Sequence, residues 1–300
     1  MHLFKKEENT NNCFVREVQV APEVSVFVST EQQLTDLVRF CTDTQNFSIM
    51  GVDPTYNMGH YYVTVTTYRN LMFLTREGVH PVMLGPCLIH TNKKTSSYQQ
   101  LGLSMVKIRK ELENILVFGT DSEKTLYEGL KNVFSNSHHL LCDLHMKDNI
   151  KEKTKGLSQD QTKIIMNDIF GGNFKDGLVD CTDIDMFENK AEVLIKKWRD
   201  MGASKFANYF VTYKLGDIKN CMSAELRTLV GLGFPPKLYT QNANECNNSV
   251  LKKGKETNNM TLKEVVQSIR SVARSQEEQA SLSLIGSEEW KLLPHYQSLF

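Results

Sequence analysis

Three strand-like segments follow one another at residues 47–53, 60–68 and 80–90, with short connections between them. Strands this close in sequence return on themselves, because a parallel partner needs a crossover of a dozen or more residues. The first is an apolar run, Phe47-Ser48-Ile49-Met50-Gly51-Val52, that ends on Asp53 and Pro54. The second, "HYYVTVTTY", is rich in the aromatic and β-branched residues that fit a pleated surface. "REGVH" supplies a turn before the third, "HPVMLGPCLIH". An antiparallel meander is therefore predicted, and any fold for this chain has to contain it.

Beyond the meander, helix and strand patterns alternate. Residues 96–112 place Leu101, Met105, Ile108 and Leu112 at helical spacing. "NILVFGTD" reads as a strand ending on a second carboxylate, Asp121. "SEKTLYEGLKNVF" reads as a helix, with Thr120 and Glu123 at capping-box spacing. "HHLLCDLH", residues 138–145, reads as a further short strand. Residues 47–145 thus run β-β-β-α-β-α-β. Upstream, residues 1–12 read as disordered, 15–30 as two short strands broken at Pro22, and 30–41 as a helix capped by Thr30. Residues 146–240 read as mostly helical, with breaks at Gly171-Gly172 and from Gly231 to Pro236. The expected organisation is a lead-in (1–44), the first part of a core (45–145), a helical insertion (146–240), and a last core helix with a helical tail (241–300).

With 300 residues, 40% of them hydrophobic, the chain can bury a sizeable core. Its 35 Lys and Arg balance 35 Asp and Glu, so no global basic field steers it to nucleic acid, and a nucleic-acid partner needs a local patch. The seven cysteines form no Cys-x-x-Cys pair, which suits free thiols in a reducing compartment. "MHLFKKEENTNN" lacks the apolar heart of a signal peptide, and no run is long enough to span a bilayer. These features predict a soluble protein of the cytosol or nucleus with no membrane partner.

The β-β-β-α-β-α-β order is that of ribonuclease-H-like folds: a mixed five-stranded sheet with flanking helices, its first and fourth strands adjacent and parallel. Asp53 and Asp121 would then meet at neighbouring strand tips. Locally each has a plainer reading, because Asp is common where a strand turns and Asp-Pro opens turns. As a pair they repel when both are ionised. A hard divalent cation, Mg²⁺ or Mn²⁺, relieves that repulsion and suits phosphodiester chemistry. Such sites need a third acid. On chemistry alone Asp180, Asp183 and Asp185 are as eligible as any other.

Four stretches, "GVDPTYNMGHYYVTVTTY", "VFGTDSEKTLYEGL", "HLLCDLHMKDNI" and "NANECNNSVLKK", together resemble Mutator-like element transposases of the DDE type. The family's first acid stands in an Asp-x-Thr-Tyr context, matched by Asp53-Pro54-Thr55-Tyr56. Its second stands in Thr-Asp-x-Glu, matched by Thr120-Asp121-Ser122-Glu123. A Cys-x-x-His on the next strand is matched by Cys142 and His145, and an Asn-x-x-Glu-x-x-Asn at a late helix by Asn242, Glu245 and Asn248. The resemblance covers roughly residues 45–255 and implies that Asp53, Asp121 and Glu245 are the catalytic, metal-holding acids. It gives Cys142, His145 and Asn248 a supporting role. It also implies metal-dependent DNA cleavage and strand transfer, DNA partners (element ends and target) and a nuclear location, and leaves homo-oligomer formation open. Family members usually carry a separate DNA-binding module before the catalytic domain, and no such spacing is present here.

The nearest candidate for a DNA-facing patch comes after Glu245. Lys252, Lys253 and Lys255 begin a stretch, residues 250–275, in which Lys and Arg outnumber acids. A solvated basic helix face explains it equally well. Trp198, Phe206, Tyr209, Phe210 and Tyr213 share helical spacing and are expected in the core of the insertion rather than stacked on bases. Cys142 and His145 make at most half of a structural zinc site, which wants four ligands. The expected activity is that of a DDE transposase. The alternatives are a catalytically inactive transposon-derived DNA- or protein-binding module, and a nuclease without transfer activity.

Overall fold

The computed structural model describes residues 13–21, 23–172, 176–252, 259–286 and 289–299. Residues 1–12, Pro22, Lys253 and Lys255, which carry four of the sequence expectations, lie outside the described residues. The chain divides into two units, one formed by Met1–Ser137 with Gln241–Phe300 and the other by His138–Thr240.

The first unit is α/β. Its meander is β3 (Met50–Met58), β4 (Tyr61–Arg69) and β6 (Val82–His90), preceded by β1 (Val15–Gln19) and β2 (Ser25–Val28). A short β5 (Phe73–Thr75) lies between β4 and β6, and β7 (Val117–Thr120) comes next among the strands. The strand β8 (His138–Leu141) opens the second unit, and β9 (Trp290–Leu292) pairs with β5 in a separate two-stranded sheet. The main sheet is mixed and has seven strands, six of them from the first unit in the order β1-β2-β6-β4-β3-β7. Five strands were expected. The two short strands assigned to the lead-in join the sheet, because β2 pairs antiparallel with β6, Phe27 opposite Leu88.

The β3–β4 hairpin closes through Gly59 at φ +66°, a conformation that glycine adopts without strain. A Cβ there would also lie 2.1 Å from the Met260 carbonyl oxygen. Pro54 does not stop β3, as its sequence context suggests; the strand runs on to Met58 with Pro54 opposite Thr64. The register of β3 with β7 ends at Gly51, so β3 keeps its β4 neighbour alone at Pro54. A missing N–H is tolerated in such an edge position.

Each face of the sheet is covered by helices. On one, Phe27, Met50, Val52, Leu88 and Phe118 pack with α1 (Glu31–Cys41), α2 (Thr95–Ile108) and α3 (Lys124–Lys131) through residues such as Leu34, Phe40, Tyr98, Leu101 and Leu130. On the other, Val26, Val28, Val63, Val65, Cys87 and Ile89 pack with Leu251, Val265, Val266, Ile269 and Ala273 from helices spanning Asn242–Lys252 and Leu262–Leu284. Thr30 caps α1 in a capping box with Gln33. The capping box expected at Thr120 does not form. Glu123 is the N-cap of α3, and Thr120 Oγ1 donates to the Asp121 carbonyl at 2.7 Å. The helix expected over 96–112 ends at Ile108, and a 3₁₀ turn at Lys110–Asn114 buries Leu112 instead.

The second unit is helical after β8: α4 (Asp143–Lys153), α5 (Gln159–Phe170), α6 (Ile184–Asp200), α7 (Ser204–Tyr213), α8 (Leu215–Cys221) and α9 (Ala224–Leu229). The two helices that return to the first unit are α10 (Asn242–Lys252) and α11 (Leu262–Leu284). Trp198, Phe206 and Phe210 are buried together, with Trp198 edge-on to Phe210 at 5.0 Å between centroids. Tyr209 is half-buried and Tyr213 exposed, so three of the five aromatics form the expected core. The chain between Leu215 and Leu229 forms two helices rather than one, because Ser223 accepts from the Leu226 N–H and starts α9 afresh. Arg227 is buried and donates to the carbonyls of Met222, Val179 and Pro236 and to Asp180.

Candidate functional site

Parallel pairing of β3 with β7 sets Met50 opposite Phe118 and Gly51 opposite Gly119. Asp53 and Asp121 each stand two residues beyond the last of these pairs. Asp121 stands just past the end of β7 at Thr120, whereas Asp53 is within β3 and, because side chains alternate along a strand, belongs to the face on which Gly51 lies. That face carries α10. The approach is close: a Cβ on Gly51 would lie 2.3 Å from Asn244 Oδ1 and 2.7 Å from Thr67 Oγ1.

Four residues tie α10 and its lead-in to the strand ends. Gln241, fully buried, donates from Nε2 to the Val52 carbonyl at 2.8 Å and reaches the Gly119 carbonyl at 3.5 Å. Asn244, also buried, accepts from Thr67 Oγ1 at 2.8 Å. Asn248 donates to Asp53 Oδ2 at 2.7 Å. Lys252, one turn further on, is half-buried; burial pushes its ammonium down from the usual lysine range, and the Asp53 carboxylate opposes that shift. Gln241 and Asn244 carry no charge and break no periodicity, so sequence reasoning passes over them. Their one signal is the density of amides in "QNANECNN".

Asp121 sits in a tight turn after β7. Its Oδ1 accepts the Glu123 N–H at 2.9 Å, and Glu123 opens α3. The Glu123 carboxylate accepts from Tyr98 Oη at 2.7 Å and Thr125 Oγ1 at 3.0 Å, and pairs with Lys93.

Glu245, the third expected acid, lies in the first turn of α10, three residues before Asn248, and is solvent-exposed. A negative side chain in that turn is favoured by the helix dipole without any ligand. Among the described residues no three or more His, Cys, Asp or Glu side chains gather as a metal ion would require. Asp53 and Asp121 offer oxygen donors at matching positions, but the described side chains do not form the three-acid set that Mg²⁺ or Mn²⁺ chemistry of this kind takes.

Cys142 and His145 are not on a strand. The chain turns helical after Cys142, which is the N-cap of α4, and His145 falls in that helix's first turns. Asp143 favours the change, since a carboxylate stabilises a helix start and here pairs with Lys147 one turn on at 2.7 Å. Both residues belong to the second unit. There Cys221 Sγ lies 3.4 Å from His139 Nδ1. Asp180, Asp183 and Asp185, the other eligible acids, are in the second unit too: Asp180 accepts from Arg227, and Asp183 caps α6. Of the DNA-facing candidates, Lys252 is described, on the helix that meets Asp53. No helix among the described residues is long and apolar enough to cross a membrane. Comparison with models of known protein families and with curated protein sequences finds no match.

Proposed function

We propose that the first unit is a ribonuclease-H-like domain of the DDE transposase type, similar to those of Mutator-like elements, that acts on DNA phosphodiesters in the nucleus. One observation carries the reading. The strand that carries Asp53, β3, and the strand that Asp121 follows, β7, are parallel neighbours in register, and a late helix separated from them by a helical unit brings an amide onto Asp53. The order β6-β4-β3-β7, three antiparallel strands and then a parallel one, also supports it. In this reading Asp53 and Asp121 face the scissile phosphate, Asn248 orients Asp53, and Lys252 offers a cation to the DNA backbone. Mg²⁺ or Mn²⁺ is the ion such chemistry uses. Because Glu245 is not gathered with the two aspartates, no step is derived through it.

The same exposure of Glu245 favours a second reading, a transposon-derived module that keeps the fold to bind DNA or protein without cutting. A nicking assay on supercoiled DNA with Mg²⁺ or Mn²⁺ separates the two. Nicking by the wild type, abolished by Asp121→Asn, supports the catalytic reading. Identical behaviour of wild type and variant leaves the binding module.

A further inference from the structure

We propose that Glu123 is the positioning residue of the Asp121 turn, holding that carboxylate in place from the α2–α3 side of the unit. The inference rests on the reading of Asp121 as a site carboxylate. Glu123 works with two ends. Its backbone N–H fixes Asp121 Oδ1 at 2.9 Å. Its own carboxylate is gripped by donors from three separate places: Tyr98 on α2, Thr125 on α3, and Lys93 in the link between β6 and α2. Donors to an ionised acceptor are the stronger kind of hydrogen bond, and three of them fix a side chain that one would leave free to rotate.

The grip has a rigid base. Tyr98 is fully buried, with His90 edge-on to its ring at 5.5 Å. Burial and the neighbouring Glu123 carboxylate both push its hydroxyl well above the usual tyrosine range, so it stays a donor. His90 is itself fixed, with Nε2 2.7 Å from Thr64 Oγ1 and Nδ1 2.5 Å from the Asn92 carbonyl oxygen. The two helices that carry Tyr98 and Thr125 meet at Gly129, where a Cβ would lie 2.7 Å from Tyr98 Cβ and from the Thr95 carbonyl oxygen. Neither α2 nor α3 can shift without moving Glu123, and Asp121 moves with Glu123 through its N–H.

Two measurements on the full chain test this. The first needs neither DNA nor metal: amide hydrogen exchange at Glu123 in wild type and Tyr98→Phe, a change that keeps the buried ring. Loss of the tyrosine donor should speed exchange there about tenfold. The second is steady-state nicking of supercoiled plasmid DNA in MgCl₂ or MnCl₂. Glu123→Ala should lower kcat by about 100-fold, the scale of a misplacement near 1 Å. KM should stay within about twofold, as for an interaction that serves only the reacting geometry. Glu123→Gln, which still offers an oxygen to Tyr98 and Thr125, should recover most of kcat. Unchanged exchange in Tyr98→Phe overturns the proposal, and so does a wild-type kcat in Glu123→Ala. If the wild-type chain cuts no DNA under either ion, the transposase reading falls, and the exchange measurement alone decides whether Glu123 holds the turn.

Discussion

Asn248 donates to Asp53 from a half-buried position, and hydrogen bonds to charged acceptors contribute about 1.5–3 kcal/mol. Replacing it with alanine should lower the unfolding free energy by about 1–2 kcal/mol in urea titrations. Asn248→Asp should cost more, because it sets two carboxylates face to face. A different carboxylate pair governs pH dependence. Asp36 is buried and accepts from Tyr68 Oη at 2.9 Å and Gln32 Nε2 at 2.7 Å; Glu277, half-buried, accepts from Thr30. Burial raises both and Asp36 raises Glu277 further, while the hydrogen bonds from Tyr68, Gln32 and Thr30, and after them Arg39 and Arg274, oppose in part. Acids raised in the fold favour folding in full below the ordinary carboxyl value of about 4, and that contribution is lost as pH climbs through the raised values. Stability should therefore fall from about pH 4 towards neutrality, and Asp36→Asn with Glu277→Gln should flatten the fall, read as urea midpoints across that range. Asp53 and Asp121 were legible in the sequence because an acid that closes an apolar run stands out. Gln241 and Asn244 were not, because a buried amide looks like any loop residue until its partner carbonyls are in place.

The contact between β3 and α10 depends on a missing side chain. Gly51→Ala would drive a methyl into Asn244 and Thr67, both buried and bonded to each other. Overpacking of this kind costs about 1–3 kcal/mol. The loss should appear as a lower thermal midpoint and as faster hydrogen exchange along α10 than along α1. At this scale the sequence was most legible where one local signal decides the outcome. Thr30 begins its helix as the sequence predicts, in a capping box with Gln33. It was least legible where two signals compete. Thr120 and Glu123 have capping-box spacing, yet the Asp121 turn takes the Glu123 N–H first. "HHLLCDLH" reads as a short strand, yet only His138–Leu141 stays one, and the Asp143 carboxylate favours a helix start. Pro54 looks like a stop, and its effect is cancelled by the shortness of β7.

In the second unit, Arg227 ties three backbone carbonyls and Asp180 around one buried guanidinium. Taking away one side of a buried charged network costs about 3–5 kcal/mol. Arg227→Met should therefore raise hydrogen exchange across α6 to α9, while β3, β4 and β6 of the first unit keep their protection. The parallel pairing of β3 with β7 was within reach of the sequence because the element order implies it. The place of the two extra strands was not, because β1 and β2 are short and only the pairing of β2 with β6, and of β1 with β2, reveals where they belong. The first unit is assembled from stretches on either side of the second. On the ribosome, the strands bearing Val63, Val65, Cys87 and Ile89 emerge long before Leu251, Val265 and Ile269, the residues that cover them. A nascent chain halted at Thr240 should bind a hydrophobic dye and be cut readily by protease, whereas one extended through Leu284 should do neither. Until then that apolar face is open to a chaperone, and completion of the first unit waits on helices that come after the whole of the second.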